Sequence, residues 1–527
     1  MGRNSNGKRV MGGLLVLSLT AALGACSSKG NDDGAGNNTS GEGMSKKFTI
    51  TSLNFTYEEI PPNDGIGLKM INEKFNVDYK PLILKYSDYA AKLASTIAGG
   101  DIPDTVAHDS PDANYFRWSR QGVFLPLNDY IDKYPTFKIV PKSVWDAVTV
   151  DGKIYAIPKY FPQNYLQTMI IRQDWLDNLG LEMPTNYEEL KQVAIAFTKN
   201  DPDGNGKDDT YGLVVGANIH PSGSAGTYWD AGAWYHRDEN GQLIPGIISE
   251  ARKELIAWLA ELYKEKAMTR DFVLMKDYNA VSMEFWGGKA GIFLGQPRGE
   301  SETYMQALLK SDPRAKVVGV PPFKAPDGSR GFTAGSGFYM MTSLNANLAK
   351  QPEKLERILQ MIDFGRKFHP VSERNEKNPE FDWAYGYAGK GYEIIDGQAV
   401  PKPPALGLSP HYYFIDNRMW APSDKDNEYS KGYKSPQLRE YTAGLEKLHE
   451  EVKHYVNPIH FAYSETKNTK NTELTLYILG EQSKMIVGER PISDWDKVVQ
   501  EWMDRGGAQM IREVNESLKG KQPEGFK

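Results

Sequence analysis

Residues 47 to 109 read KFTITSLNFTYEEIPPNDGIGLKMINEKFNVDYKPLILKYSDYAAKLASTIAGGDIPDTVAHD. KFTITSLNF has the composition of a strand. Asp64 to Phe75 carries apolar residues at helical spacing, VDYKPLIL returns as a strand, Ser87 to Ala98 opens on an N-cap residue and stops at Gly99-Gly100, and DTVAHD ends a third strand. This order predicts an α/β fold with a mainly parallel sheet covered by helices, and it puts ligands beyond the carboxyl ends of the strands.

Upstream of this unit, residues 1 to 26 read MGRNSNGKRVMGGLLVLSLTAALGAC. Arg3, Lys8 and Arg9 form a basic start, an apolar run extends from Val10 to Ala22, and small residues precede Cys26. The run is too short to span a bilayer well and reads as a secretory signal. Its ending, Leu23-Gly24-Ala25-Cys26, resembles the lipobox of bacterial lipoproteins, which implies cleavage after residue 25 and a diacylglyceryl thioether on Cys26. The next residues, SSKGNDDGAGNNTSGEGMS, are nearly free of apolar side chains, so 26–46 is expected to be a flexible tether.

The chain has 527 residues, 62 basic and 68 acidic side chains and a net charge of −6. That length calls for more than one domain. Cys26 is the only cysteine, which excludes a disulfide framework, a CxxC redox centre, a cysteine-rich zinc site and a thiol nucleophile elsewhere. Mild acidity gives no electrostatic reason to bind nucleic acid. Removing residues 1 to 25 takes away three positive side chains and deepens the acidity. No internal repeat and no second linker interrupts the body, which suggests lobes joined by strands that pass back and forth.

Together with the lipobox and the opening unit, GVFLPLNDYID (122–132), VDGKIYAIPKY (150–160), RQDWLDNLGLEMPTNYEELKQVAIAFTKNDPDGNGKDDTYG (172–212) and GERPISDWDKVVQEWMDRGGAQMIREVNESL (488–518) carry a family resemblance. The chain resembles the extracellular solute-binding lipoproteins of carbohydrate ABC importers, in the large oligosaccharide-binding group with the alginate-, aldouronate- and pectin-fragment-binding proteins. The resemblance implies a two-lobed, periplasmic-binding-protein-like α/β fold whose hinge closes on a sugar held in the cleft. The expected division is 47–165 in a first lobe, 166–335 in a second, and 336–527 as returning segments shared by both, with crossings near 160–170 and 333–340 and a later one left unplaced. The expected partners are an oligosaccharide, uronate-containing ones among the candidates, the permease subunits, and the membrane through the lipid anchor, for a monomer on the outer face of a Gram-positive cytoplasmic membrane.

Asp201 to Gly212 has the spacing of an EF-hand loop: oxygen side chains at positions 1, 3, 5 and 9, glycine at 6, and a backbone carbonyl at 7. By match to the motif, the family resemblance implies a structural calcium held by Asp201, Asp203, Asn205 and Asp209, with Lys207 through its carbonyl; Asp208 is a lesser candidate. The departure is at position 12, where Gly212 replaces the bidentate Glu. A plain acidic turn is the alternative.

Sugars present flat C–H faces and rims of hydroxyls, so a receptor needs aromatic platforms beside planar hydrogen-bonding groups. Trp118, Trp229, Trp234, Trp286, Trp383, Tyr385 and Trp420 sit in loop-like contexts and are the expected platforms, whereas Trp175, Trp258, Trp495 and Trp502 fit core helices. Arg117, Arg298 and Arg418 are candidates for a ligand carboxylate. Arg298 stands out because it follows the strand GIFLG at its carboxyl end.

Two other classes share part of this pattern. A secreted glycosidase or polysaccharide lyase would also carry aromatic platforms and carboxylates, but the chain has no GxSxG, HExxH, GxGxxG or Walker loop, and no catalytic residue is assigned. A receptor for a peptide or other solute would use backbone-pairing edges instead of stacked aromatics.

Overall fold

The strand expected at the start of the body forms over Phe48–Thr56 and buries Ile50 on one face and Leu53 and Phe55 on the other, all within the first core. The computed structural model describes residues 46–57, 59–219, 225–276, 278–395 and 397–519. The leader, Cys26 and nearly all of the tether lie outside them. Among the described residues no helix is long and apolar enough to cross a membrane.

In chain order the strands that place the site are β1 (Phe48–Thr56), β2 (Val77–Lys85), β3 (Thr105–His108), β4 (Ile157–Tyr160), β5 (Thr168–Arg172), β6 (Tyr211–Leu213), β7 (Ala290–Gly295), β8 (Val317–Gly319), β9 (Phe332–Ala334), β10 (Phe338–Leu344) and β11 (His454–Val456). The helices named below are α1 (Ile66–Phe75), α2 (Tyr86–Gly99), α3 (Ala113–Arg120), α4 (Tyr187–Lys199), α5 (Glu250–Lys264), α6 (Pro352–Arg366), α7 (Pro436–Glu451) and α8 (Glu465–Ile486). Helix α2 begins one residue before the expected Ser87 cap, because β2 stays paired to β1 through Lys85 and runs straight into it. It stops at Gly100, whose φ of 78° suits a residue without Cβ.

The first sheet has the order β2-β1-β3-β10-β4, and the second β8-β5-β7-β6. Parallel pairing, expected for most of the sheet, holds for β1 with β2 and β3, and for β6 with β7. The other pairs are antiparallel, because β10 and β5 enter their sheets from the cleft side and run against the strands already there. These directions bring the carboxyl ends of β1, β3, β4, β6, β7 and β8 to one side, facing the cleft.

Each sheet has its own core. The first gathers Ile50, Leu53, Val106, Ile157 and Met341 with Ile358 and Ile362 of α6 and Tyr413 to Ile415. The second is covered on both faces: Met169 and Ile171 of β5 point into one cluster with Trp175, Phe197 and Ile256, while Ile170 between them points into another with Phe293, Trp286 and Tyr441. Residues 161–167 therefore connect the two sheets once, and 320–337 connect them again. Trp420 and Ala421 still pack in the first core, while Leu438 and Leu445 of α7 pack in the second, so a third connection runs through 422–435. Strands β9 and β11 pair in parallel beside these connections.

A buried arginine braces each lobe from within. Arg172, at the end of β5, holds Asp174 at 2.5 Å and Asp312 at 2.9 Å. Arg366, at the end of α6, holds Asp416 at 2.7 Å with both side chains fully buried, and it also donates to the Pro158 carbonyl of β4. Nearby, the buried Lys159 ammonium donates to the Ile415 carbonyl, and burial pulls its pKa down to about 8 against the attraction of Asp416.

Asp416→Asn would leave Arg366 and Lys159 as buried cations without their counter-charge, so a loss of about 3–5 kcal/mol is expected in urea unfolding. A loss below about 1 kcal/mol would refute that assignment. Burial also pushes His108 and His449 down to about 3, and His411 and His460 to about 4. Unfolded histidine titrates near 6.5, so between there and the folded values only the unfolded chain takes up these protons. The melting temperature is expected to fall as pH drops from 6.5 to 4.5, and His108→Gln to flatten that slope.

Candidate functional site

A cavity of about 670 Å³ lies between the two sheets, within the roughly 300–1,000 Å³ usual for small-molecule sites. Its walls include Ser110, Pro111 and Phe116 from the first lobe and Asp230, Trp234 and Arg252 from the second. Ser336 and Phe338 line it from the second connection, and Asn457 and His460 follow β11.

The polar groups here are held by the connecting strands. Asp230 accepts from the Thr333 hydroxyl of β9 at 2.5 Å and from Gly232 N–H at 2.9 Å, and burial raises its pKa. Asn457 closes the same corner, accepting from Trp234 N–H at 3.0 Å and donating to the Gly232 carbonyl at 3.0 Å. Arg252 sits in the first turn of α5, whose Ser249 cap accepts its N–H. Its Nε donates to Gln482 Oε1 of α8 at 3.0 Å, and Gln482 in turn donates to the Ile247 carbonyl.

Beside the cavity, the carboxyl ends of β1 and β3 bring together tyrosines around one carboxylate. Tyr339 OH donates to Asp109 Oδ1 at 2.6 Å, Tyr57 OH lies 3.3 Å from the same oxygen, and Tyr86 OH lies 3.4 Å from Oδ2. The Tyr57 and Tyr86 rings lie 4.7 Å apart and stay 55% and 43% exposed. A β-bulge between Phe338 and Met341 puts Met340 at a φ of 71°, a strained conformation for a non-glycine residue, next to Tyr339. Phe161, in the first connection, meets Tyr339 edge-on at 5.9 Å and carries the Arg298 guanidinium over its ring at 4.8 Å.

Arg298 is thus placed at the cleft from the loop after β7. Trp234 is 3% exposed and lines the cavity. Tyr385, stacked between Phe381 and His411 at 4.4 and 4.5 Å, lines a neighbouring cavity of about 320 Å³ together with Tyr57, Lys159 and Arg418. The other expected platforms are packing residues. Trp229 stacks on Tyr187 inside the second core, Trp286 packs on Phe285 and Tyr304, and Trp118 and Trp420 are buried in the first core. Trp383 sits half-buried against Phe364 with Lys74 over its ring. Arg117 is exposed and donates to Asn114; its neighbour Phe116 is the residue that faces the cavity. His108 is a satisfied core residue 3.0 Å from the Ser343 hydroxyl.

The reading missed Tyr57, Tyr86, Asp109, Phe161, Tyr339, Asp230 and Arg252. Arg252 had a signal: it occupies the stripe continued by Leu255, Ile256 and Leu259, where a core residue belongs.

The acidic loop leaves α4, capped at its start by Asn186, and turns at Asp201 with a φ of 46°. Its carboxylates converge on Asn205: Nδ2 donates to Asp203 at 2.8 Å and Asp209 at 3.1 Å, while Asn205 N–H and Gly206 N–H reach Asp201 at 3.1 and 2.9 Å. Among the described residues no group of three or more His, Cys, Asp or Glu side chains is set to hold a metal. Position 12 is explained by packing: a Cβ on Gly212 would come within 2.5 Å of Ala194, because β6 presses directly on α4.

The family model for bacterial extracellular solute-binding proteins matches residues 70–364. The polygalacturonan/rhamnogalacturonan-binding protein YtcQ of Bacillus subtilis (strain 168) is 27% identical over 523 residues, spanning 97% of this chain and 98% of YtcQ. Lipoprotein LipO of the same organism is 26% identical over 470 residues, spanning 87% and 89%. Among solved structures, alginate-binding protein AlgQ2 without calcium ion superposes with a TM-score of 0.62 at 20% identity over 90% of this chain and 99% of its own. An EF-hand mutant of the Streptococcus pneumoniae substrate-binding protein FusA, in complex with fructo-nystose, gives 0.61 at 18% identity over 90% and 99%. With its paired lobes, strand-end cleft and more than half its length matched, the chain belongs to the bacterial extracellular solute-binding protein family.

Proposed function

We propose that this chain is the receptor of an ABC importer for an oligosaccharide, taken between the lobes, enclosed by their closure about the three connections, and passed unchanged to separate permease subunits. The observation that carries this reading is the exposed Tyr57 and Tyr86 pair around Asp109, one residue from Ser110 in the wall of the 670 Å³ cavity. Flat rings beside a fixed acceptor suit sugar faces and their hydroxyls, and the names of YtcQ, AlgQ2 and FusA support the same ligand class. The lipobox at Cys26 and the likeness to a lipoprotein favour a lipid anchor on the outer face of the membrane, with a monomeric body on its tether. The lobes divide near 161–167, 320–337 and 422–435 in this reading. Binding and release need no covalent step, so no catalytic residue is assigned.

Calcium is part of the proposal. Asp203 and Asp209 already gather round the Asn205 side-chain amide and Asp201 round the neighbouring backbone N–H groups, so Asp201, Asp203, Asn205 and Asp209, with the Lys207 carbonyl, fit a hard cation; Gly212 leaves it without the bidentate ligand. Such an ion would relieve the repulsion among these carboxylates and fasten the end of α4.

Calorimetry with galacturonan, xylan and alginate fragments is expected to give saturable binding without product formation on chromatography. Product formation would replace the receptor with an enzyme, and tighter binding of peptides would replace the sugar. Arg298→Ala is expected to weaken sugar binding about 5- to 20-fold through its stack on Phe161, with little change in melting temperature. Chelation is expected to lower the melting temperature and calcium to restore it; a melting curve indifferent to both would remove the ion from the loop.

A further inference from the structure

The charged side chains that line the cavity are two cations, Arg252 and Lys467, and one carboxylate, Asp230. Arg252 is 1% exposed and lines it, and neither Nη1 nor Nη2 has a partner among the described residues. Asn468, on α8, lines the same space with Nδ2 unpartnered. Lys467 beside it is withdrawn from solvent, and burial lowers its pKa with no carboxylate to offset it. Against these stands one carboxylate in the lining, Asp230, whose oxygens are already taken by Thr333 and Gly232.

The other fully buried arginines show how unusual this is. Arg172 and Arg366 also leave nitrogens without a hydrogen-bond partner, but each touches a carboxylate at hydrogen-bond distance and lays its guanidinium over the rings of Trp175, Phe137 and Trp420. Arg252 has only the distant attraction of Asp230, and its pKa is pulled down to about 9 by burial. A buried guanidinium with an open fork is costly unless something fills it. Helix α8 supports the same reading. Its inward stripe runs along the cavity through Lys467, Asn471, Leu474 and Ile478 and ends on the buried Gln482 that holds Arg252.

We propose that the deep end of the cleft is an acidic-sugar subsite, in which the Arg252 fork takes a ligand carboxylate edge-on and Lys467 and Asn468 supply further donors. This rests on the receptor reading and narrows its ligand to oligosaccharides that contain a uronate. A planar carboxylate matches the two open nitrogens in a way that one sugar hydroxyl does not.

The test is calorimetry on the mature chain with trigalacturonate and its fully methyl-esterified form, which keeps the backbone and removes the charge. The acid is expected to bind about 10- to 100-fold tighter than the ester. Arg252→Met removes the buried charge without stranding another, so the fold should persist, and it is expected to abolish most of that preference while leaving affinity for the ester within about twofold. Lys467→Gln, at a less buried position, should remove part of it. Equal binding of acid and ester, or a preference that survives Arg252→Met, would overturn the subsite. Tight binding of neutral oligosaccharides with rejection of uronates would overturn the subsite and leave the receptor intact. Preference for citrate or an acidic tripeptide over any sugar would overturn both.

Discussion

Two hydrophobic cores that share no strand can be joined only where the chain leaves one and enters the other, and this constraint governs the rest of the molecule. The backbone of a connecting segment cannot be paired within either sheet, so its polar groups need partners at the junction. Here the connections pair with one another and with β11, Gly335 N–H donating to the Gln163 carbonyl and β9 lying against β11, and side chains fasten the adjoining loop: Thr333 of β9 bonds Asp230, and Asn457 after β11 bonds both Trp234 and Gly232. The second-lobe loop that walls the cleft is therefore fastened to the connections themselves. A change of angle there would carry Asp230 and Trp234 with it. A ligand favours such a change only through its extra affinity for the closed arrangement, and contacts contributed by both lobes are what supply it.

The same constraint explains why buried ions sit where they do. Arg366 ends the helix that follows the second connection, and its partner Asp416 lies just before the third. The pair bonds the last segment of the first lobe to β4, the strand that feeds the first connection. Segments far apart in sequence are thus held in one core by a contact that discriminates against misregistered packing. Hydrophobic burial alone, being non-directional, would not do so.

The fold was legible because it rests on period and punctuation. Alternating strand and helix patterns with glycine stops made β1 to β3 readable, and Trp175, Trp258, Trp495 and Trp502 were recognisable as core by their helical spacing. Direction was less legible: β10 arrives from the other lobe, and nothing local marks it as antiparallel. Of the expected aromatics only Trp234 and Tyr385 line a cavity. Trp229, Trp286 and Trp420 looked like loop residues because glycine and polar neighbours surround them, yet their large apolar area is better spent in the cores. The rings left at the cleft mouth are tyrosines, whose hydroxyls can share Asp109 while one face stays wet. Arg298 could be placed after its strand because strand ends are where side chains escape the sheet, and it lies over the Phe161 ring of the first connection. Gly212 was read as a defect in a metal loop, whereas it marks a close approach of strand to helix that no local motif encodes.

Net charge has little bearing on any of this. At −6 over 527 residues the chain repels anions only weakly, and at physiological ionic strength that repulsion fades within about 8 Å of each exposed charge. Inside the cleft the screening is absent and the count is different, because Arg252 and Lys467 face a single carboxylate that is already hydrogen-bonded. A field of local sign opposite to the whole can then persist at the point where a ligand is desolvated. An acidic surface with a cationic pocket would slow the approach of an anionic sugar slightly and still hold it once bound, since on-rate depends on the long-range field and off-rate on the contacts.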